Sequence, residues 1–210
     1  MRRTAEDAAK TRVALLEAAL MAFEEKGWRG ATFEHIAERA GVTRGALHHH
    51  FRDKRTLLVE ALEWGWSDYG QRLFDTVSPT TGDTGSADDE TVALNERAHR
   101  AVEELLARFV RLITGDRAFR ALASTTVLVA PQAFEHYDKG DALDDWRERI
   151  ERLIASRRGA TNVAPRDIAG LVLVLLQGFT VAAVTRPDDL PQPDRLDATM
   201  AALVKGLLET

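Results

Sequence analysis

The chain has 210 residues, 45% apolar and 29% charged, enough for one large or two small domains with a sizeable buried core. It contains no cysteine, which excludes disulfides, thiolate metal sites and cysteine nucleophiles. The net charge of −5 is unevenly spread: residues 1–60 carry 11 Lys and Arg against 9 Asp and Glu, the remainder 17 against 24, so a slightly basic head that permits DNA binding precedes an acidic body.

In chain order, residues 1–10 have the positive start of a signal peptide but no apolar stretch after it. A first helix is expected from Glu6 to Lys26, because Val13, Leu16, Ala19, Leu20 and Phe23 recur at three- and four-residue steps; Gly27 ends it. Thr32 caps a short second helix, Phe33 to Ala40, with Phe33, Ile36 and Ala37 inward. Gly41-Val42 forms a turn, and Thr43 caps a third helix that ends near Phe51. Asp53 caps a long fourth helix, 54–77, carrying Leu57, Leu58, Ala61, Leu62, Trp66, Tyr69 and Leu73.

Ser78 to Asp88 is rich in turn-forming residues and reads as a loop. Helices follow at 89–114, 117–130, 132–157, 165–186 and 194–209, set apart by Gly115-Asp116, Pro131, Gly159, Pro165 and the stretch from Pro187 to Pro193. No alternating strand pattern occurs, so the expected fold is all-α. It has nine helices in two domains: a three-helix head, residues 1–53, and a helical body, residues 54–210, with 54–77 as connector. The longest apolar run, Ile168 to Val184, is interrupted by Gly170, Gln177, Gly178 and Thr180. It is short and polar for a membrane span and reads as a buried interface helix, which places the protein in the cytoplasm with no membrane partner.

Two short helices joined by Ala40-Gly41-Val42-Thr43 and braced by a longer first helix form a helix-turn-helix. Val42, Leu47 and Phe51 are spaced to face inward, leaving Arg44, Gly45, Ala46, His48 and His49 outward. The small residues let the helix approach a major groove closely, and Arg44 can pair with guanine O6 and N7. Thr32, Thr43 and Lys54 are placed to touch phosphates on either side.

Thr11-Arg12, Phe23 with Gly27-Trp28, Thr32-Phe33, Ile36-Ala37, the run from Ala40 to Leu47, Phe51 and Lys54 closely resemble the tetracycline-repressor (TetR) family of bacterial transcriptional repressors. The likeness covers about residues 10–58, and its Val-Thr-Arg-Gly-Ala-Leu wording is most similar to the branch that represses multidrug efflux pumps. It implies a homodimer, a palindromic operator and a C-terminal helical domain that binds a small molecule. By position it also implies DNA contacts from Thr32, Thr43, Arg44, Gly45, Ala46, His48, His49, His50 and Lys54. The family usually has tyrosine where this chain has His48 and often an aromatic at His49; an imidazole at 48 can still donate to phosphate.

In the body, Ile168, Leu171, Val172, Leu175, Leu176, Phe179 and Val184 cover almost the whole circumference of one helix, and Leu196, Met200, Leu203, Val204 and Leu207 stripe the next. The pair reads as half of a two-fold four-helix interface, built on Leu171, Leu175, Phe179, Met200, Leu203 and Leu207. Trp66, Tyr69, Leu106, Phe109, Thr126, Trp146 and Gln177 are the candidate liners of an effector pocket, although each taken singly reads first as plain core.

The rival reading is a helical metal-dependent enzyme using the histidines and Asp141, Asp144, Asp145 and Glu148. His48, His49 and His50 fan out by about 100° per residue and lack the i, i+3 or i, i+4 spacing of helical metal ligands. No Gly-x-Ser-x-Gly, P-loop or His-Glu-x-x-His motif occurs, so no catalytic residue, metal or cofactor is expected. A third reading keeps a binding module whose DNA head has lost function. Effector, operator and regulated genes are not legible in the sequence.

Overall fold

The structure is a computed structural model that describes residues 5–74, 87–134, 140–155 and 163–208. All regular structure among them is helical: α1 (Ala5–Gly30), α2 (Phe33–Arg39), α3 (Arg44–His50), α4 (Lys54–Phe74), α5 (Ala87–Gly115), α6 (Arg117–Ser124), α7 (Ala130–Ala133), α8 (Gly140–Ala155), α9 (Pro165–Thr185) and α10 (Leu196–Leu208). A π-helical turn, Thr125–Val129, joins α6 to α7 in one rod, and a 3₁₀ turn follows α9 at Pro187–Asp189. The described residues therefore hold nine rods, the number the sequence pattern implies.

Two differences from expectation reshape the middle of the chain. The rod beginning at Arg117 runs on to Ala133 instead of stopping at 130. Pro131 stands in the first turn of α7, immediately after the π turn. The single helix expected over 132–157 does not form: the backbone turns extended at Phe134 (φ −128°, ψ 130°), and α8 starts at Gly140. The expected loop from Ser78 to Asp88 lies almost wholly outside the described residues, as do 75–77 of the fourth helix.

Gly27 acts as the expected terminator: its φ of 66° and ψ of −179° take the chain out of the helix, and Trp28 to Gly30 add one offset turn. At Gly41 φ is 67°, and Gly41 N–H donates to the Glu38 carbonyl at 3.0 Å while Val42 N–H donates to Ala37 at 2.9 Å. These two bonds satisfy carbonyls that the end of α2 leaves open.

The chain packs as two compact units, one of residues 1–69 with 116–137 and the other of 70–115 with 138–210. In the first, α1 is the centre. Leu15, Leu16, Ala19 and Phe23 bury against Ile36, Leu47, Phe51, Leu57, Leu58, Ala61 and Leu122. The α6–α7 rod lies along α1, fixed by Arg117–Glu25 (2.6 Å) and Arg120–Glu24 (3.1 Å). The expected division at 53/54 differs from the packing, which groups the three head helices with α4 to Tyr69 and with the α6–α7 rod. The short α2 and α3 bury their apolar faces only in that company.

In the second unit α5 packs against α8, α9 and α10, and α8 against α9. Val102, Leu105, Leu106, Phe109, Ile113, Ile150, Ile154, Val172, Leu176, Met200 and Val204 form its interior. Only one side of α9 is covered: Ile168, Ala169, Val172, Leu173, Leu176 and Thr180 are buried, while Leu171 (49%), Val174 (63%) and Val184 (43%) are exposed. Sequence reasoning underrated this helix. Pro165–Thr185 is 21 residues long with a mean hydropathy of 2.2 in its most apolar stretch, long and apolar enough by itself to cross a membrane.

Candidate nucleic-acid interface

The chemistry of α2 and α3 starts at their caps. Thr32 Oγ1 accepts from His35 N–H at 3.3 Å, and Thr43 Oγ1 accepts from Ala46 N–H at 3.1 Å. Both threonine oxygens are thus engaged as caps, and Thr32 Oγ1 also lies 3.1 Å from His35 Nδ1, so a phosphate contact by the Thr32 hydroxyl competes with that ring. Leu47 and Phe51 are buried in the core, and Val42 packs against it half-buried. They hold α3 with Arg44, Gly45, His48 and His49 exposed and Ala46 and His50 half-covered.

The three histidines occupy three environments. The His48 ring lies 4.8 Å from Phe33, His49 is exposed, and His50 lies 6.3 Å from Phe51. Among the described residues no group of three or more His, Asp or Glu side chains gathers as a metal site. His48 keeps the ring packing that an aromatic residue would make here, through Phe33.

Arg44 is already committed within the protein. Its Nη1 lies 2.6 Å from Glu34 Oε1 on α2, and its Nε donates to His48 Nε2 at 3.4 Å. The Glu34 carboxyl is held below its usual range, first by its own backbone N–H and then by Arg44. Both partners are more than half exposed, so the pair stands on the outward side of the two helices.

Lys54 points inward more than sequence suggests. Its Nζ donates to the Trp28 carbonyl at 2.5 Å and sits 4.3 Å from the centroid of the Trp28 ring. Burial pushes the ammonium down from its ordinary value. One of its three protons is spent on the chain, so any phosphate contact uses the other two. Asp53 caps α4 through Thr56 N–H at 2.8 Å; that bond, with Arg52 beside it, lowers the carboxyl from 3.8 to about 2.

Sequence reasoning missed Glu34. The signal was present, as an acid directly after the Thr32-Phe33 cap sits one turn of the motif away from Arg44. Arg52 and Arg55, both exposed beside Lys54, also add positive charge to this edge.

The seven expected effector liners divide between the units. Trp66, Tyr69 and Thr126 belong to the first: Trp66 Nε1 donates to Thr126 Oγ1 at 3.0 Å, and Tyr69 Oη donates to Asp116 Oδ2 at 2.8 Å. Leu106, Phe109 and Trp146 are buried in the second, and Gln177 is half-buried there. A cleft of about 440 Å³ opens in the first unit, lined by Glu17, Leu20, Met21, Trp64, Gly65, Asp68, Tyr69 and Ala118; it takes Tyr69 alone of the seven. Of the six expected interface residues, Leu171 is exposed, and Leu175, Phe179, Leu203 and Leu207 are half-buried. Met200 is a correction: at 1% exposure it faces the interior of its own unit and offers no surface to a partner.

Comparison with known proteins agrees with this geometry. Residues 15–61 match the profile of the bacterial regulatory proteins of the tetR family. The chain is 37% identical over 82 residues to the HTH-type transcriptional regulator AcrR of Shigella flexneri, covering 39% of this chain and 38% of that protein. It is 54% identical over 54 residues to the HTH-type transcriptional repressor BepR of Brucella suis, 26% of each chain. The matched parts are thus well under half of either relative. The crystal structure of NalD, the secondary repressor of the MexAB-OprM multidrug efflux pump in Pseudomonas aeruginosa, superposes with a TM-score of 0.64 over 97% of this chain and 96% of that one. At 24% identity that likeness is one of fold.

Proposed function

We propose that this chain, whose residues 15–61 match the tetR-family profile, is a cytoplasmic transcriptional repressor that binds a palindromic operator as a homodimer and is released by a small hydrophobic or aromatic effector. The observation that carries this reading is α3: a helix pinned by Leu47 and Phe51 that turns Arg44, Gly45, His48 and His49 to the surface. Arg44 reads a guanine in the major groove. Thr32, Thr43, Ala46, His48, His49, His50 and Lys54 set the register on the backbone and groove wall.

The apolar side of α9 supports the dimer. Leu171 and Val174 are about half or more exposed, and covering what remains of each contributes roughly 1–2 kcal/mol. A second copy of α9 and α10, meeting this face through Leu171, Leu175, Phe179, Leu203 and Leu207, buries it and supplies the second head a palindrome needs. The cleft beside Tyr69 is within the size range of small-molecule sites and is the place we assign to the effector. A ligand that fits there better in one head arrangement weakens DNA binding by its differential affinity, typically about 1–3 kcal/mol.

The test is selection of duplexes from a randomised library by the full-length chain, followed by sedimentation of protein with the enriched duplex. Enrichment of a two-fold symmetric sequence bound by two chains is expected; no enrichment at moderate salt overturns the reading.

A further inference from the structure

We infer that Glu34, on α2, is a specificity residue of the interface: it holds the Arg44 guanidinium in reading position, so that sequence discrimination at the Arg44 base pair depends on a carboxylate that touches no DNA. This rests on the proposed DNA-reading function.

The geometry is that of a clamp. Arg44 Nη1 pairs with Glu34 Oε1 at 2.6 Å, and Arg44 Nε donates to His48 Nε2 at 3.4 Å. Of the five guanidinium protons, three are left, both of those on Nη2 and one on Nη1. That suffices for the parallel pair that guanine O6 and N7 accept. The clamp is itself anchored at both ends. Glu34 lies in the first turn of α2, beside the Thr32 cap, and its neighbour Phe33 is buried. His48 is braced by the Phe33 ring at 4.8 Å.

An arginine has several rotatable bonds, and an unheld one reaches many acceptors, phosphates included. Fixing it before binding removes the cost of ordering it and confines its protons to one target. The carboxylate also carries a charge that phosphates repel, so its presence favours base reading over backbone contact. For Glu34 alone the plain electrostatic expectation is that its removal strengthens DNA binding everywhere. The clamp instead predicts a loss of discrimination at one base pair only.

The experiment uses the full chain and a fluorescein-labelled duplex enriched by the wild-type protein from a random library, with a set of duplexes each altered at one base pair. Arg44→Ala should lose about 5- to 150-fold discrimination at one base pair, which identifies the arginine's target. Glu34→Ala should lose a substantial part of that discrimination at the same base pair and none elsewhere, with Glu34→Gln intermediate. In the Arg44→Ala background, Glu34→Ala should change no base preference. Both positions are exposed, and circular dichroism confirms folding of each variant. If Glu34→Ala raises affinity for every duplex alike and leaves base preferences intact, the clamp is wrong while the DNA-reading function stands. If the wild-type protein enriches no sequence, that function fails, and the clamp with it.

Discussion

Lys54 and Trp28 are joined twice, by a 2.5 Å bond from the ammonium to the Trp28 carbonyl and by a cation–π contact at 4.3 Å. The pair fastens the first residue of α4 to the turn that follows the Gly27 kink, so the end of α1 and the start of α4 move as one. Lys54→Met retains most of the apolar stem and deletes both contacts. An unserved, partly buried carbonyl costs about 1–3 kcal/mol, and urea denaturation should register a loss within that range. Loss of DNA affinity without loss of stability would instead make Lys54 chiefly a phosphate ligand.

Asp53 supplies a pH-dependent prediction. Its folded carboxyl is lowered from 3.8 to about 2, so the ionised cap contributes stability that is fully present above the unfolded value. That contribution fades as pH falls from near 4 through about 2. Asp53→Ala should cost about 1 kcal/mol at neutral pH. Thermal melts of wild type and variant should converge as the solution is acidified toward the folded value; a constant gap would mean the cap acts without its charge.

Gly65 tests the packing of α4 on the α6–α7 rod. A Cβ there would stand 2.6 Å from Leu122 Cδ1 and 3.0 Å from Cδ2, and Leu122 has no exposed surface into which to retreat. Helix propensity favours Gly65→Ala by about 1 kcal/mol, while overpacking a tight interface costs about 1–3 kcal/mol. The second effect should win, giving a lower melting temperature. Combining it with Leu122→Ala should cost less than the sum of the two single changes.

What was legible in the sequence was local. Thr32, Gly41, Thr43 and Asp53 each act on backbone groups within a few residues, so their chemistry can be read without knowing the fold. Long-range choices were not legible. Nothing near Lys54 shows that its ammonium turns to Trp28, 26 residues earlier. Met200 belongs to an apolar stripe whose covered side is decided by α5, far away in the chain, and the effector liners share a composition but not a unit. Pro131 was read as a stop because the π turn that accommodates it has no local signature.

The central claim is that α3 reads DNA through Arg44. Fluorescence anisotropy of the full chain on the region upstream of its own gene, wild type against Arg44→Ala at moderate salt, tests it most directly. The account predicts tight, saturable, sequence-dependent binding by the wild type and a loss of about 1–3 kcal/mol in the variant that relaxes base preference. Equal binding by both proteins, with the same affinity for unrelated duplex, would contradict it.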